Sequence, residues 1–363
     1  MSKSVTSPNT PVTSTKRWKQ RPPGSTWGDF GADDQRGRLN LITPEAVRRG
    51  AVEIQEGLSF CLSLPLDLPG GNVLNPRRYP PVLRPTVRNG RPNMNYHLRI
   101  ENPLHTDIVS DDLAILHLQY STQWDSLAHI GQTYDINGDG CPVPTYYNGF
   151  RPKVDILGPD AVADAGIEGS SICRSTSGAR ALGVENMAVH CVQGRAVMVD
   201  LQAHFGQGRT LIGYDELMSV LDADQVCVEQ GDMVCLHTGF AQWLIDIGGH
   251  PDAATAERVG AVLNGRDGKL LQWITDSGLA ALIADNYAVE AHPAVHQAVE
   301  CCAALPLHEH CLFKLGVNLG ELWSLSPLAL WLREHKRYRF FLTAPPLRLP
   351  GAVGSPVTPV GTV

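Results

Sequence analysis

Strand-like apolar runs alternate with helix-like segments along most of this chain, and that alternation limits the fold to the mixed α/β class. RAVMVDLQAHFG (195–206) reads as a buried strand ending at Asp200, and YDELMSVLDADQV (214–226) as a helix. GDMVCLHTGF (231–240) is a strand after a Gly-Asp turn. AERVGAVLNG (256–265) and LLQWITDSG (270–278) read as helices, the second stopped by its glycine. LAALIADN (279–286) returns as a strand. Earlier, Thr43-Pro44-Glu45 offers a hydroxyl cap, a first-turn proline and an acid, which predicts a helix to about Gln55. LSFCLSLPLDL (58–68) follows as a strand. Ser326-Pro327 opens a helix by the same capping logic, and YRFFLTAPPLRLPG (338–351) is the last strand with a proline-rich exit. No repeat of fixed period and no linker interrupts residues 25–355. The expectation is one domain over 21–363 behind a disordered Ser/Thr/Pro-rich tail, 1–20.

Composition excludes several function classes. The 363 residues carry a net charge of −7, which argues against a general nucleic-acid binder, since phosphate neutralisation needs clustered cations. No apolar run approaches the roughly 18 residues of a membrane span. Nine cysteines, an odd number without a C-x-x-C pair, predict reduced and mostly buried thiols in a cytoplasmic protein rather than disulfides or a cysteine zinc site. The polar N-terminus has no apolar core of a secretory signal. Gly (35) and Pro (26) are in excess, and they concentrate in part in a stretch, 69–94, too long for a simple connection. That stretch reads as a functional or oligomer-contacting loop.

Polar chemistry gathers in two places. Gln119, Gln123, Asp125 and His129 form Q-x-x-x-Q-x-D-x-x-x-H, in which two pairs are helix-spaced and Gln123/Asp125 is strand-spaced. A strand running through a turn into a helix would converge them, as structural hydrogen bonders or as a metal site. Glutamine offers a metal only a neutral carbonyl oxygen. The second cluster holds His308, Glu309, His310 and Glu321, and His-x-His in a strand would aim both imidazoles at one face. Asp285, Asn286 and Glu290 follow a strand and read as helix caps; His204 and His237 read as structural histidines. PGAVGSP (350–356) lacks the Lys-Ser/Thr ending of a phosphate loop, and no G-x-S-x-G elbow occurs.

The run STQWDSLAHI resembles the signature H-x-G-T-H-x-D-x-x-x-H of the cyclase family of metal-dependent hydrolases, which includes kynurenine formamidase, isatin hydrolase and trans-dienelactone hydrolase. Here the two leading histidines are Gln119 and Gln123, and the glycine is Ser121, while Thr122, Asp125 and His129 fit. WGDFGADDQRGRLNLITPE, GRAVMVDL, GDMVCLHTG, IADNYAVE and LHEHCLFKLGVNLGELW extend the resemblance over about residues 27–358. It implies a swivelling β/β/α fold and a homo-oligomer acting on a small-molecule substrate. It also implies that Gln119, Gln123 and Asp125 hold a first divalent metal. Asp125, His308 and Glu321 serve a second, with His310 as an alternative to His308. His129 becomes the general acid and base. The implied reaction opens a lactone, cyclic amide or related ester or amide. Amide oxygens in place of imidazoles make manganese a candidate beside zinc. A lyase or cyclase reaction at the same residues and a non-catalytic binding or assembly role are the alternatives.

Overall fold

The computed structural model describes residues 16–166, 174–297 and 301–363. Nine strands form the central sheet: β1 (Ser59–Cys61), β2 (Gln123–Asp125), β3 (Gln193–Asp200), β4 (Met233–His237), β5 (Ala281–Ala284), β6 (Asn318–Glu321), β7 (Arg339–Thr343), β8 (Gly354–Pro356) and β9 (Val360–Thr362). Their spatial order is β1-β9-β7-β3-β4-β5-β6-β2-β8. The four central strands β3 to β6 run parallel, and both flanks are antiparallel.

The central strands are apolar throughout because both faces are covered. Val197, Val199, Val234 and Leu282 pack against helices Tyr214–Ala223 and Gly268–Ser277 on one side. Ala196, Met198, Cys235 and Ile283 pack on the other, where helix Ser326–Glu334 supplies Leu328, Ala329 and Leu332. Side chains alternate between the two cores with the period of two that a strand imposes.

Several local expectations are corrected. Helix Pro44–Ala51 is capped by Thr43 as expected but ends before Gln55, since Val52 is 70% exposed and offers no buried face. The expected helix 256–265 is instead the buried strand Ala261–Leu263, paired in parallel with Thr210–Ile212. Gly260, at positive φ, breaks the helical run just before it. The segment 58–68 forms a strand only at Ser59–Cys61, in register with Val360–Thr362, with one further isolated bridge between Ser63 and Trp323. Ser326 is the first residue of its helix rather than its cap, because its hydroxyl is engaged by His237. The strand at 339–343 is not the last, since β8 and β9 follow it. Of the expected tail, residues 1–15 lie outside the described residues. Residues 16–20 belong to the packed body: Trp18 is buried against Trp27, and Arg17 stacks on Phe150. Among the eight described cysteines only Cys235 and Cys311 are buried; the other six lie exposed, contrary to the expectation.

The proline- and glycine-rich stretch enters an arm rather than a plain loop. Val82–Pro85 pairs with Asp112–Ile115, and Tyr96–His97 pairs with Ile108–Val109, leaving Leu83, Val87 and Leu104 exposed. Before the arm, Asn75, Arg77 and Arg78 turn back onto the sheet edge beside β2. No helix among the described residues is long and apolar enough to cross a membrane.

Candidate metal centre

Strand geometry sets the carboxylates. The alternation of β2 points Gln123 and Asp125 to one face and Trp124 to the other, where it packs edge-on against Trp323 at 5.1 Å. Glu321 of β6 lies directly opposite Gln123 in the antiparallel register, so Asp125 is its diagonal neighbour. Gln123 Nε2 donates to Glu321 Oε2 at 2.9 Å. Gln119, just before the strand, donates its own amide to Asp125 Oδ1. Gly354 of β8 makes this possible: a Cβ there would sit 2.3 Å from Gln119 Cγ. The amide nitrogens of both glutamines thus face the carboxylates, and it is not their carbonyl oxygens that do so.

His308 closes the cluster from a helical turn, Pro306–His308, that continues into a π-helix, Glu309–Leu315. The segment winds as a helix and not as the strand that would align the two imidazoles, so His308 and His310 diverge. His310 turns to Thr275, with its Nε2 2.9 Å from Oγ1, and only His308 reaches Asp125 and Glu321. Glu290 fixes His308. Its carboxylate accepts from the backbone N–H of Leu307 and His308, each at 3.0 Å, and pairs with Nδ1 at 2.8 Å. Nε2 is left 3.3 Å from Glu321 Oε1 and 3.8 Å from Asp125 Oδ2. The candidate ligand atoms of Asp125, His308 and Glu321 all lie within 4.8 Å of one another. His129 stands beside them after a turn from Ser126 to His129, with Nε2 3.9 Å from Asp125 Oδ2 and the side chain 21% exposed. The strand-to-turn convergence is as expected, but no helix follows.

The electrostatics are those of charges buried together. Burial pushes the Asp125 carboxyl up, and Glu321 adds to this, while His129 and His308 oppose it. Burial also acts to raise Glu321, but the hydrogen bond and charge of His308, with help from Arg78, hold it below the ordinary carboxylate range. Burial would lower His308, yet Glu290 and Glu321 outweigh it and raise the imidazole to about 10. His310 is driven the other way, to about 4, by burial and nearby Lys314.

Two oxygens in this cluster are buried without a hydrogen-bond partner, Asp125 Oδ2 and Gln123 Oε1. Orphaned buried acceptors are costly, and a divalent cation among Asp125, His308 and Glu321 is what would satisfy the Asp125 oxygen. An imidazole whose Nδ1 is held by a carboxylate, with Nε2 turned to the cluster, is the arrangement typical of a ligating histidine. The donor set therefore fits a divalent metal.

Sequence reasoning missed Glu290 as a partner of His308 and assigned it to helix capping, which its carboxylate also does for Leu307 and His308. Gly265 was silent too, yet a Cβ there would lie 2.2 Å from Glu290 Oε2. Glu290→Gln is expected to weaken metal binding by roughly 10- to 100-fold, as losses at such supporting carboxylates do. Competition with a chelating dye reads this directly, and unchanged affinity would remove Glu290 from the site.

A Ser–His–Asp array does occur elsewhere: His237 lies 2.8 Å from Asp200 and 2.9 Å from Ser326. It is not a reachable nucleophile. His237 is fully buried, Ser326 is 5% exposed, and Asp200 is also held by Arg333. His204 pairs with Asp224, so both histidines are structural, as expected. Asp285 is not a helix cap as expected: it accepts from the backbone N–H of Thr238 and Gly239 and from the Thr238 hydroxyl, ahead of helix Phe240–Asp246, whose N-cap is Gly239.

The family model for Cyclase matches residues 62–291. No curated protein matches the chain. Among solved structures, one described as a novel cyclase is 30% identical, is covered over 100% of its length and covers 95% of this chain, with a TM-score of 0.69. Isatin hydrolase A from Ralstonia solanacearum is 14% identical across 84% of this chain and 91% of its own, at a TM-score of 0.51. Isatin hydrolase A from Labrenzia aggregata, bound to benzyl benzoate, is 11% identical across 89% and 98%, also at 0.51. The two isatin hydrolases share the fold. The family model spans most of the chain and the 30% identical structure nearly all of it, so this protein belongs to the cyclase family.

Proposed function

We propose that this protein is a metal-dependent hydrolase that opens a lactone, cyclic amide or related ester or amide. The observation that carries the reading is the orphaned Asp125 Oδ2, set between His308 and His129 on the wall of a cavity of about 170 Å³. Asp125, His308 and Glu321 would hold the ion, zinc or manganese; Gln119 and Gln123 could add their amide oxygens only if their side-chain amides turned over. When bound, a divalent ion supplies Lewis acidity toward a carbonyl and lowers the pKa of water. Gln119 and Gln123 keep the two carboxylates in place through their amide N–H groups. His129, partly exposed to the cavity, takes the proton of the attacking water and returns it to the leaving group. A water oxygen-to-carbonyl-carbon bond forms, and the ring C–O or C–N bond breaks. No covalent enzyme intermediate is needed.

Turnover in ¹⁸O-labelled water separates this reaction from the lyase or cyclase alternative. One labelled oxygen in the product carboxylate is the expected result. Product free of label would overturn hydrolysis and leave elimination or cyclisation.

A further inference from the structure

The cavity at the cluster is lined by Asp125, His308 and Glu321 and also by Arg77 and Arg78. Both arginines are positioned by the chain itself. The buried Asn75 side chain accepts from the backbone N–H of Arg77 at 3.1 Å and from its Nε at 3.3 Å. Arg78 is half-buried, and its Nη1 donates to the Gln119 carbonyl at 2.6 Å. Neither guanidinium has a carboxylate partner among the described residues, whereas several arginines elsewhere, such as Arg195 and Arg333, are ion-paired. A divalent ion would balance Asp125 and Glu321, and Glu290 is already paired with His308. With His308 neutral as a metal ligand, Glu290 keeps its negative charge behind the cluster, so the site with its two arginines would carry a net positive charge and neither guanidinium would have a carboxylate bound to it. Guanidinium groups recognise carboxylates in just such settings, through charge-assisted and often bidentate hydrogen bonds.

We infer that Arg77 and Arg78 select a substrate that carries a free carboxylate beside the ester or amide to be opened. This rests on the hydrolase reading and names its substrate class. A neutral lactone or lactam leaves both guanidinium groups unpaired, and a carboxylate-bearing one engages them and fixes which carbonyl faces His129.

A matched pair tests it: 5-oxotetrahydrofuran-2-carboxylate and γ-butyrolactone, the same ring with and without the carboxylate. The metal-loaded full chain should prefer the carboxylate lactone in kcat/KM. Arg78→Met should reduce that preference by on the order of 10- to 100-fold, mostly through KM. Arg77→Met should act in the same direction, which guards against a purely local effect of Arg78 on Gln119. An unchanged preference in both variants, or a wild-type preference for butyrolactone, overturns the inference and leaves the hydrolase reading standing. Calorimetric binding of the two ring-opened acids, 2-hydroxyglutarate and 4-hydroxybutyrate, decides the matter even without turnover. Tighter binding of the diacid that either variant removes supports the inference, and equal or absent binding overturns it. Failure to hydrolyse either ring bears on the hydrolase reading alone.

Discussion

Replacing His129 with alanine is expected to lower kcat by on the order of 10²–10⁴, the usual contribution of a positioned general acid–base. Metal content should stay as in the wild type. The two expectations separate because His129 stands beside the cluster rather than within it. The clustered ligand atoms are those of Asp125, His308 and Glu321, while His129 Nε2 is 3.9 Å from Asp125 and its ring is 6.5 Å from that of His308. Both nitrogens of His308 are committed to carboxylates, and the ring is buried. His129 opens to the cavity with its imidazole beside Asp125, where it can take a proton from the attacking water. Its position depends on a short turn from Ser126, so truncation removes little packing. A variant with full kcat on a hydrolysed substrate would assign proton transfer to another group.

Much of the fold was legible because its signal is local. β3, β4 and β5 announce themselves as continuous apolar runs, and Gly278 stops its helix where the sequence says it should. Ala261–Leu263 and Gly354–Pro356 were not legible, because each is a strand only by virtue of a partner distant in sequence. The same division runs through the site. Gln123, Asp125 and Glu321 come together through strand period and register, which the motif spacing partly encodes. The choice between His308 and His310 depends on the helical winding of 306–315, which the His-x-His spacing does not reveal. Glu290 and Gly265 act through the chain that folds over them, and no motif marks either. Arg77 and Arg78 sit in a stretch that its length marks as a functional or oligomer-contacting loop, and only the folded structure brings them to the cavity that Asp125 and Glu321 line.

The larger expected effect is at Asp125. Its side chain is 1% exposed and faces His129, His308 and Glu321, with one oxygen taken by Gln119 and the other unpartnered. Asp125→Ala removes the central oxygen donor and strands the Gln119 amide. Activity should fall by on the order of 10³ or more, since several kcal/mol of electrostatic stabilisation depends on the ion it holds. Glu321 and His308 would still pair with each other, so the variant retains a plausible folded core. An unfolding midpoint measured beside wild type separates loss of the ion from loss of the fold.

Metal analysis of the purified protein, wild type beside Asp125→Ala, tests directly whether Asp125, His308 and Glu321 hold a divalent ion. Stoichiometric zinc or manganese is expected in the wild type, as purified or after loading with either, and its loss is expected from a folded Asp125→Ala variant. Wild-type protein that takes up neither ion, or a variant that binds as much as the wild type, would contradict a metal site at these residues.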